Sequence, residues 1–277
     1  VMLKKQKTAK KPALKELKEI LVFFKNEEYQ KEFHQKNLKL TKKGIRDSIS
    51  EDAIILNTIT TITELDRVCN MLSKRLRRWY NLFLPELDHN ISDHEKYAIL
   101  VFTKSKKELI KEMKVEDTMG ADLAKRDTDE IKALAKEVVE LYNTRKEQEE
   151  YLEKVMKNYC PNLLELAGTM IGAKLLEHAK SLKRLALLPA STVQLLGAEK
   201  ALFRHIKTGS LAPKHGVIIT HPYVQKANRR NKGMAARLLA GKLSIAVKVD
   251  YFKGDYIADE LKKEIEKKLS FDIGKPK

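Results

Sequence analysis

The chain has 277 residues, with 55 Lys and Arg against 38 Asp and Glu, a formal net charge of +17, a third of its residues charged and 6% aromatic. That polarity suits one ordinary core plus an elongated module better than a single compact globule. It excludes a membrane-spanning protein, since the longest apolar runs resemble Ile20 to Phe24 and fall far short of the ~18 residues a span needs. VMLKKQKTAKKP at the N-terminus lacks the apolar core and small-residue cleavage site of a secretory signal. Two distant cysteines, Cys69 and Cys160, argue for a reducing compartment rather than a disulfide framework. Eleven Gly and seven Pro suit helices.

In chain order, residues 1–45 hold 13 Lys and Arg against 5 acids and contain two short amphipathic stretches, Leu14 to Phe24 and Tyr29 to Leu40. From Ile55 the apolar positions Ile55, Ile59, Ile62, Leu65, Val68, Leu72, Leu76, Trp79 and Phe83 recur every three or four residues until Pro85, a coiled-coil seam. A second seam of the same length runs through Ile131, Leu134, Val138, Leu141, Arg145, Gln148, Leu152, Val155 and Tyr159 to Pro161. Two equal seams joined by a connecting region predict an antiparallel helical hairpin. Polar Arg145 and Gln148 either fix a register with a partner hairpin or mark where the hairpin is open to solvent. Between the seams, Glu86 to Thr128 predicts one shorter helix around His94 to Met113 and a break at Gly120, a natural place for two copies to meet.

Charge then changes sharply. Residues 46–165 carry 20 Lys and Arg against 24 acids, whereas residues 166–248 carry 15 against Glu177 and Glu199 alone, the electrostatic footprint of a polyanion partner. Gly168 to Leu188 reads as one amphipathic helix closed by Pro189. In LLGAEKALFRHIKTGSLAPKHG, Leu195 to Gly216, Gly197 opens a helix that Gly209 ends. Lys200, Arg204 and Lys207 fall on one stripe that matches phosphates along a nucleic-acid strand, while Leu202, Phe203 and Ile206 are placed to face inward. Free N–H groups after Gly197 could hold a phosphate; Glu199 in that turn is more simply a partner for the helix dipole. The turn Pro213-Lys214-His215-Gly216 offers a cation and a ring able to stack on an unpaired base. Asn228 to Gly233 is a dense positive loop. A helix from Met234 to Val249 follows, with Met234, Leu238, Ile245 and Val249 expected on one face and Arg237 extending the cationic surface.

The sequence carries no G-x-x-x-x-G-K-S/T, Rossmann G-x-G-x-x-G, H-E-x-x-H or paired C-x-x-C. His178, His205, His215 and His221 lie near Cys160 in the sequence, but their spacing matches no standard ligand pattern, so neither a metal nor a cofactor is expected.

GAEKALFRHIKTGSLAPKHG with its flank LLPASTVQLL, HPYV at 221–224, RRNKGMAARLLAGKL at 229–243 followed by AVKVDYF, and RRWYNLFLPELD at 77–88 resemble the Nop family, the scaffold proteins of box C/D small ribonucleoproteins, in its archaeal branch. Phe83 and Leu84 stand where the family has His and Phe. The resemblance implies an all-α fold, an antiparallel coiled-coil hairpin plus a globular helical Nop domain. It divides the chain into 1–45, the last helices of an N-terminal fibrillarin-docking domain; 46–162, a dimerising hairpin; 163–252, the Nop domain; and 253–277, a C-terminal helix and tail. It thus implies a shortened chain. It further implies a non-catalytic scaffold in an archaeal cytoplasm, nucleolar in eukaryotic relatives. The scaffold would bind a kink-turn guide RNA already carrying a ribosomal-protein-like binding protein, pair with a second copy, and position the methyltransferase fibrillarin for guide-directed 2′-O-methylation of RNA. The family motifs fall on Gly197, Ala198, Glu199, Lys200, Ala201, Leu202, Phe203 and Arg204, and on Pro213, Lys214, His215 and Gly216. Charge and position add Lys207, Arg229, Arg230, Lys232 and Arg237. Without the resemblance, the residues also fit a general basic helical nucleic-acid binder with the hairpin as spacer.

Overall fold

A computed structural model describes Val22, Phe24 and residues 27–113 and 118–273. The rest of the Leu14 to Phe24 stretch and the last four residues lie outside the described residues. Those described form helices and short turns, with no strand among them. The chain divides into two compact units, 1–50 and 51–277. The first contains α1 (Glu27–Asp47), whose Phe33, Leu38 and Ile45 remain exposed.

The second unit is built on two long helices, α2 (Glu51–Tyr80) and α6 (Lys125–Tyr159). They pack antiparallel, because Asp66 near the middle of α2 meets Arg145, and Ser73 further along meets Tyr142, 3.4 Å away. The buried line on α2 begins as expected at Ile55, Ile59 and Ile62, then runs through Cys69, Ser73, Leu76 and Tyr80. The expected line departs from it there and rejoins it only at Leu76, so Val68 and Trp79 are exposed and Leu72 and Phe83 only partly covered. Ile55, Ile62, Cys69 and Leu76 stand seven residues apart, as do Ser73 and Tyr80, so the buried line keeps the heptad repeat and the expected line slips off it by taking two three-residue steps through Leu65 and Val68. On α6, Ile131, Ala135, Val138, Leu152 and Met156 are buried, and Leu134, Leu141, Gln148 and Val155 flank them.

Arg145 does lie on the seam and has a partner within the chain. Its guanidinium reaches Asp66 on α2 and Glu149 one turn along, the latter at 3.0 Å. This polar layer separates two apolar clusters. Toward the far end, Leu76, Tyr80, Ile131, Ala135 and Val138 join α3 (Glu86–Asn90), α4 (His94–Thr103) and α5 (Lys106–Met113). The single helix expected over His94 to Met113 is broken at Lys104 and Ser105, where Ser105 N–H and Oγ donate to the Glu108 carboxylate.

Arg77 organises that tip. Its Nε donates to His94 Nδ1 at 2.8 Å, its terminal nitrogens to Asp88 at 2.5 Å and to the carbonyls of Ser92 and Asp93 at 3.0 and 3.1 Å, and the guanidinium lies 4.3 Å from the centre of the Tyr97 ring. The bond from Arg77 requires a neutral His94. Burial, then the charges of Arg77 and Lys74, hold this imidazole below its ordinary value of 6.5 despite Asp93 and Asp88. A depressed histidine contributes stability that is complete above about pH 6.5 and lost as pH falls through its folded value. Amide exchange over 77–97, corrected for intrinsic rates, should therefore quicken between pH 7.5 and 5, and less so in His94→Gln; pH-independent protection would refute this role of the Arg77–His94 bond.

At the other end Ile55, Ile59, Ile62, Leu152 and Met156 enter the core of a helical head. This head contains α7 (Pro161–Ala167), α8 (Thr169–Ala179), α9 (Leu182–Leu187), α10 (Ala190–Leu195), α11 (Glu199–Thr208), a 3-10 turn (Val217–Thr220), α12 (Pro222–Gln225), α13 (Lys232–Tyr251) and α14 (Ala258–Ile273). The helix expected from Gly168 to Leu188 is two. Lys180 adopts φ 71° and ends α8, and Ser181 then caps α9 by accepting from Arg184 N–H. A left-handed lysine is strained, so Lys180→Gly should stabilise the chain by about 0.5–1 kcal/mol in thermal melts; an unchanged or lower Tm would contradict this. On α13 the buried face is Ala235, Ala236, Leu239, Ala240, Leu243, Ala246 and Val247. Met234 and Ile245, of the apolar set placed on one face, are exposed, because small alanines rather than large side chains let the neighbouring helices approach.

Asp250 ties the head together. Buried at the end of α13, its carboxylate accepts from the backbone N–H of Asn162 and Leu163 at 3.1 and 2.8 Å and from Asn162 Nδ2 at 2.9 Å, closing the N-terminus of α7. Asn162 Oδ1 in turn accepts Ile257 N–H at 2.7 Å, linking α7 to the turn before α14.

Candidate RNA-facing surface

The sequence-derived motif residues occupy α11, the loop after it and the start of α13. Gly197 has φ 86°, and a Cβ there would stand 2.5 Å from Val217 Cγ2, so only glycine fits the corner. Gly216 is equally confined: a Cβ would fall 1.8 Å from the Leu196 carbonyl oxygen. The returning loop is fastened to the end of α10 by Gly216 N–H to Gln194 O at 2.8 Å, Val217 N–H to Leu196 O at 2.7 Å, and Gln194 Nε2 to Lys214 O at 2.6 Å. The two glycines are therefore the places where Pro213-Lys214-His215-Gly216 lies against the Gly197 corner.

The same turn meets the second basic segment. A Cβ built on Gly233, in the first turn of α13, would lie 3.8 Å from Lys214 Cδ, which puts Lys214 beside the loop carrying Arg229, Arg230 and Lys232. Arg229, Arg230 and Arg237 are exposed and Lys232 half-buried. Lys200, Arg204 and Lys207 are exposed on α11. None of these eight cations, Lys214 included, takes part in an ion pair among the described residues.

Two expectations are corrected here. Helix α11 buries none of its residues: Phe203 is 62% and Ile206 68% exposed, and Ala201 and Leu202 are half-covered. The helix stands off the head on its two glycine ends instead of packing a face down, so its apolar side chains share the surface with its cations. Of the N–H groups expected to be free after Gly197, that of Ala198 donates to Leu195 O at 2.9 Å, and the Gly197 N–H is engaged as well. It donates to Glu199 Oε1 at 2.7 Å, with His178 Nδ1 3.5 Å from the same oxygen. Burial alone would raise the Glu199 carboxyl, but the N–H groups of Gly197 and Glu199 and nearby His178 hold it below the ordinary carboxylate range. Glu199 is thus a structural cap at this corner, and Ala198 is the residue from which α11 starts.

The four histidines separate. His178 faces Glu199, His205 Nδ1 meets the Ser210 carbonyl, and buried His221 places Nε2 3.0 Å from Leu166 O and accepts Tyr223 N–H through Nδ1. His215 is half-buried in its turn. No group of three His, Cys, Asp or Glu among the described residues is arranged to hold a metal.

With this geometry in place, comparison with known proteins is direct. Residues 61–271 match the Nop family profile, described as snoRNA binding domain, fibrillarin. The chain belongs to the Nop family. An uncharacterized NOP5 family protein of Methanocaldococcus jannaschii is 43% identical over 269 residues, covering 91% of this chain and 65% of that protein. Nucleolar protein 56 of Schizosaccharomyces pombe is 36% identical over 244 residues, 79% of this chain and 49% of that protein. Nucleolar protein 58 of the same yeast is 37% identical over 215 residues, 72% and 42% of the two chains. This Nop-family chain therefore spans between about two fifths and two thirds of these relatives. Among solved structures, a chain in the crystal structure of a fibrillarin/Nop5p complex superposes with a TM-score of 0.52 at 25% identity, covering 95% of this chain and 86% of that one. The all-α fold is shared with it. No helix of the described residues is long and apolar enough to cross a membrane.

Residues that the sequence did not single out are Gln194 and Val217, which hold the motif corner from α10 and the 3-10 turn, while His178, weighed in the sequence only as a metal ligand, faces the corner from α8. The only trace of them in the sequence is indirect: glycines at 197 and 216 announce close approach without naming the neighbour.

Proposed function

We propose that this chain is a non-catalytic scaffold of a box C/D ribonucleoprotein. Its head binds a kink-turn guide RNA already carrying a ribosomal-protein-like RNA-binding protein. The hairpin pairs with a second copy, and the segment before α2 belongs to the part of the family that docks fibrillarin for 2′-O-methylation of RNA. The observation that carries this reading is the cationic surface of α11, the Lys214 turn and the Arg229 to Lys232 loop, with no intrachain ion pair, in a Nop-family chain. The exposed Phe203 and Ile206 beside those cations support a composite partner, since an RNA backbone alone gives no reason to leave two large apolar side chains in water.

Gel-shift titration of a kink-turn RNA with and without its primary binding protein tests the proposal. The chain should bind the preformed complex much more tightly than the naked RNA. Equal affinity for both would favour a general helical nucleic-acid binder with the hairpin as spacer.

A further inference from the structure

Away from the head, the outer side of α2 carries a second charged feature, most of which lies before the family block that begins at Arg77. Between Arg67 and Pro85 the sequence holds five Lys or Arg and no acid. Arg77 is consumed in the tip, but Arg67, Lys74, Arg75 and Arg78 are exposed and enter no ion pair among the described residues. At 100° per residue these four fall within roughly 100° of arc, opposite the buried line through Cys69, Ser73, Leu76 and Tyr80. From Arg67 to Arg78 the row is roughly 16 Å long at 1.5 Å per residue, enough for two or three successive phosphates of one strand.

Apolar side chains interleave with the cations. Met71, 63% exposed, falls within this arc, Trp79, 39% exposed, falls beside it next to Arg75, and Leu82, 59% exposed, follows just past the end of α2. A merely solvated helix face gives no reason for a tryptophan and a methionine among arginines, whereas a nucleic-acid contact uses both: arginine for phosphate, an indole for a sugar or base. Packing this face against its own copy would set eight like charges together, so charge complementarity selects a polyanion over a second copy.

We propose that this stripe of α2 is a second RNA contact, holding the backbone of an RNA arm that extends from the complex bound at the head. The inference rests on the scaffold reading above and adds a site to it.

The test uses the full chain and a kink-turn RNA carrying its primary protein, either minimal or extended by a duplex arm of about 20 base pairs. Arg67→Glu/Arg75→Glu/Arg78→Glu should weaken binding of the extended RNA by about 10–100-fold and lower the slope of log affinity against log salt by about 3, at ~0.9 per phosphate lost, with the minimal RNA unaffected. The milder triple change to Gln should act in the same direction with an unaltered Tm. In the wild-type chain, 4-thiouridine in the arm should crosslink to the peptide 67–82. Equal losses on both RNAs, no loss on the extended one, or loss of self-association without RNA would overturn the proposal, the last assigning the face to a second copy. Should the wild-type chain ignore even the minimal complex, the scaffold reading falls instead. The stripe is then judged on a bare RNA duplex, which the variant must still bind more weakly than wild type.

Discussion

Asp250→Ala is expected to lower the stability of the second unit by about 3–5 kcal/mol, a fall of roughly 10–15 °C in Tm for a domain of this size. Three N–H donors converge on that carboxylate, from Asn162 and Leu163, in a place water does not reach. Each loses its acceptor when the side chain is cut back, at a cost of about 1–3 kcal/mol apiece before relaxation. Asp250→Asn should fail to restore stability fully, because its amide nitrogen would confront one of those donors. Burial pushes the Asp250 carboxyl up despite the three bonds, so the folded state favours its proton and the group contributes less stability at neutral pH than below its folded value. The hydrogen bonds of Asp250 and Asn162 therefore serve connectivity, fixing α7, α13 and the turn before α14 in one arrangement. A melting curve for Asp250→Ala within 2 or 3 °C of wild type would show that the donors find other partners.

The second large effect is on assembly rather than stability. Reversing Lys200 and Arg204 to Glu should abolish binding to the RNA–protein complex, a loss of at least about 100-fold, because four units of charge change on one exposed helix. The chain should keep its Tm and its self-association, since both side chains are exposed and neither enters an intrachain ion pair. A double variant that unfolds would make these side chains structural; one that assembles normally would remove α11 from the RNA-facing surface.

The broad features of this molecule were legible in its sequence for physical reasons that also set their limits. Long apolar periodicity exposed both hairpin helices, yet the phase on α2 went astray after Ile62, because Leu72 and Phe83 are more hydrophobic than Ser73 and Tyr80 and composition outvoted geometry. Arg145 was visible as an interruption, but its partner Asp66 lies 79 positions away and no local pattern names it. In the head, glycines 197 and 209 bound α11 as their spacing announced, because each adopts a positive φ. The orientation of Phe203 and Ile206 was misread because an amphipathic pattern says that a face is apolar and not whether anything covers it. The adjacency of Lys214 and Gly233 belongs to tertiary folding and leaves no sequence signature.

The layer of Asp66, Arg145 and Glu149 has a wider implication. Neither apolar cluster crosses it, so a repacking mutation beyond Ser73 need not disturb the register of helices around Leu163 and Leu239. Such a divide allows the two ends of one rod to drift at different rates: a lineage can alter what the far end meets while the chemistry of the head stays fixed.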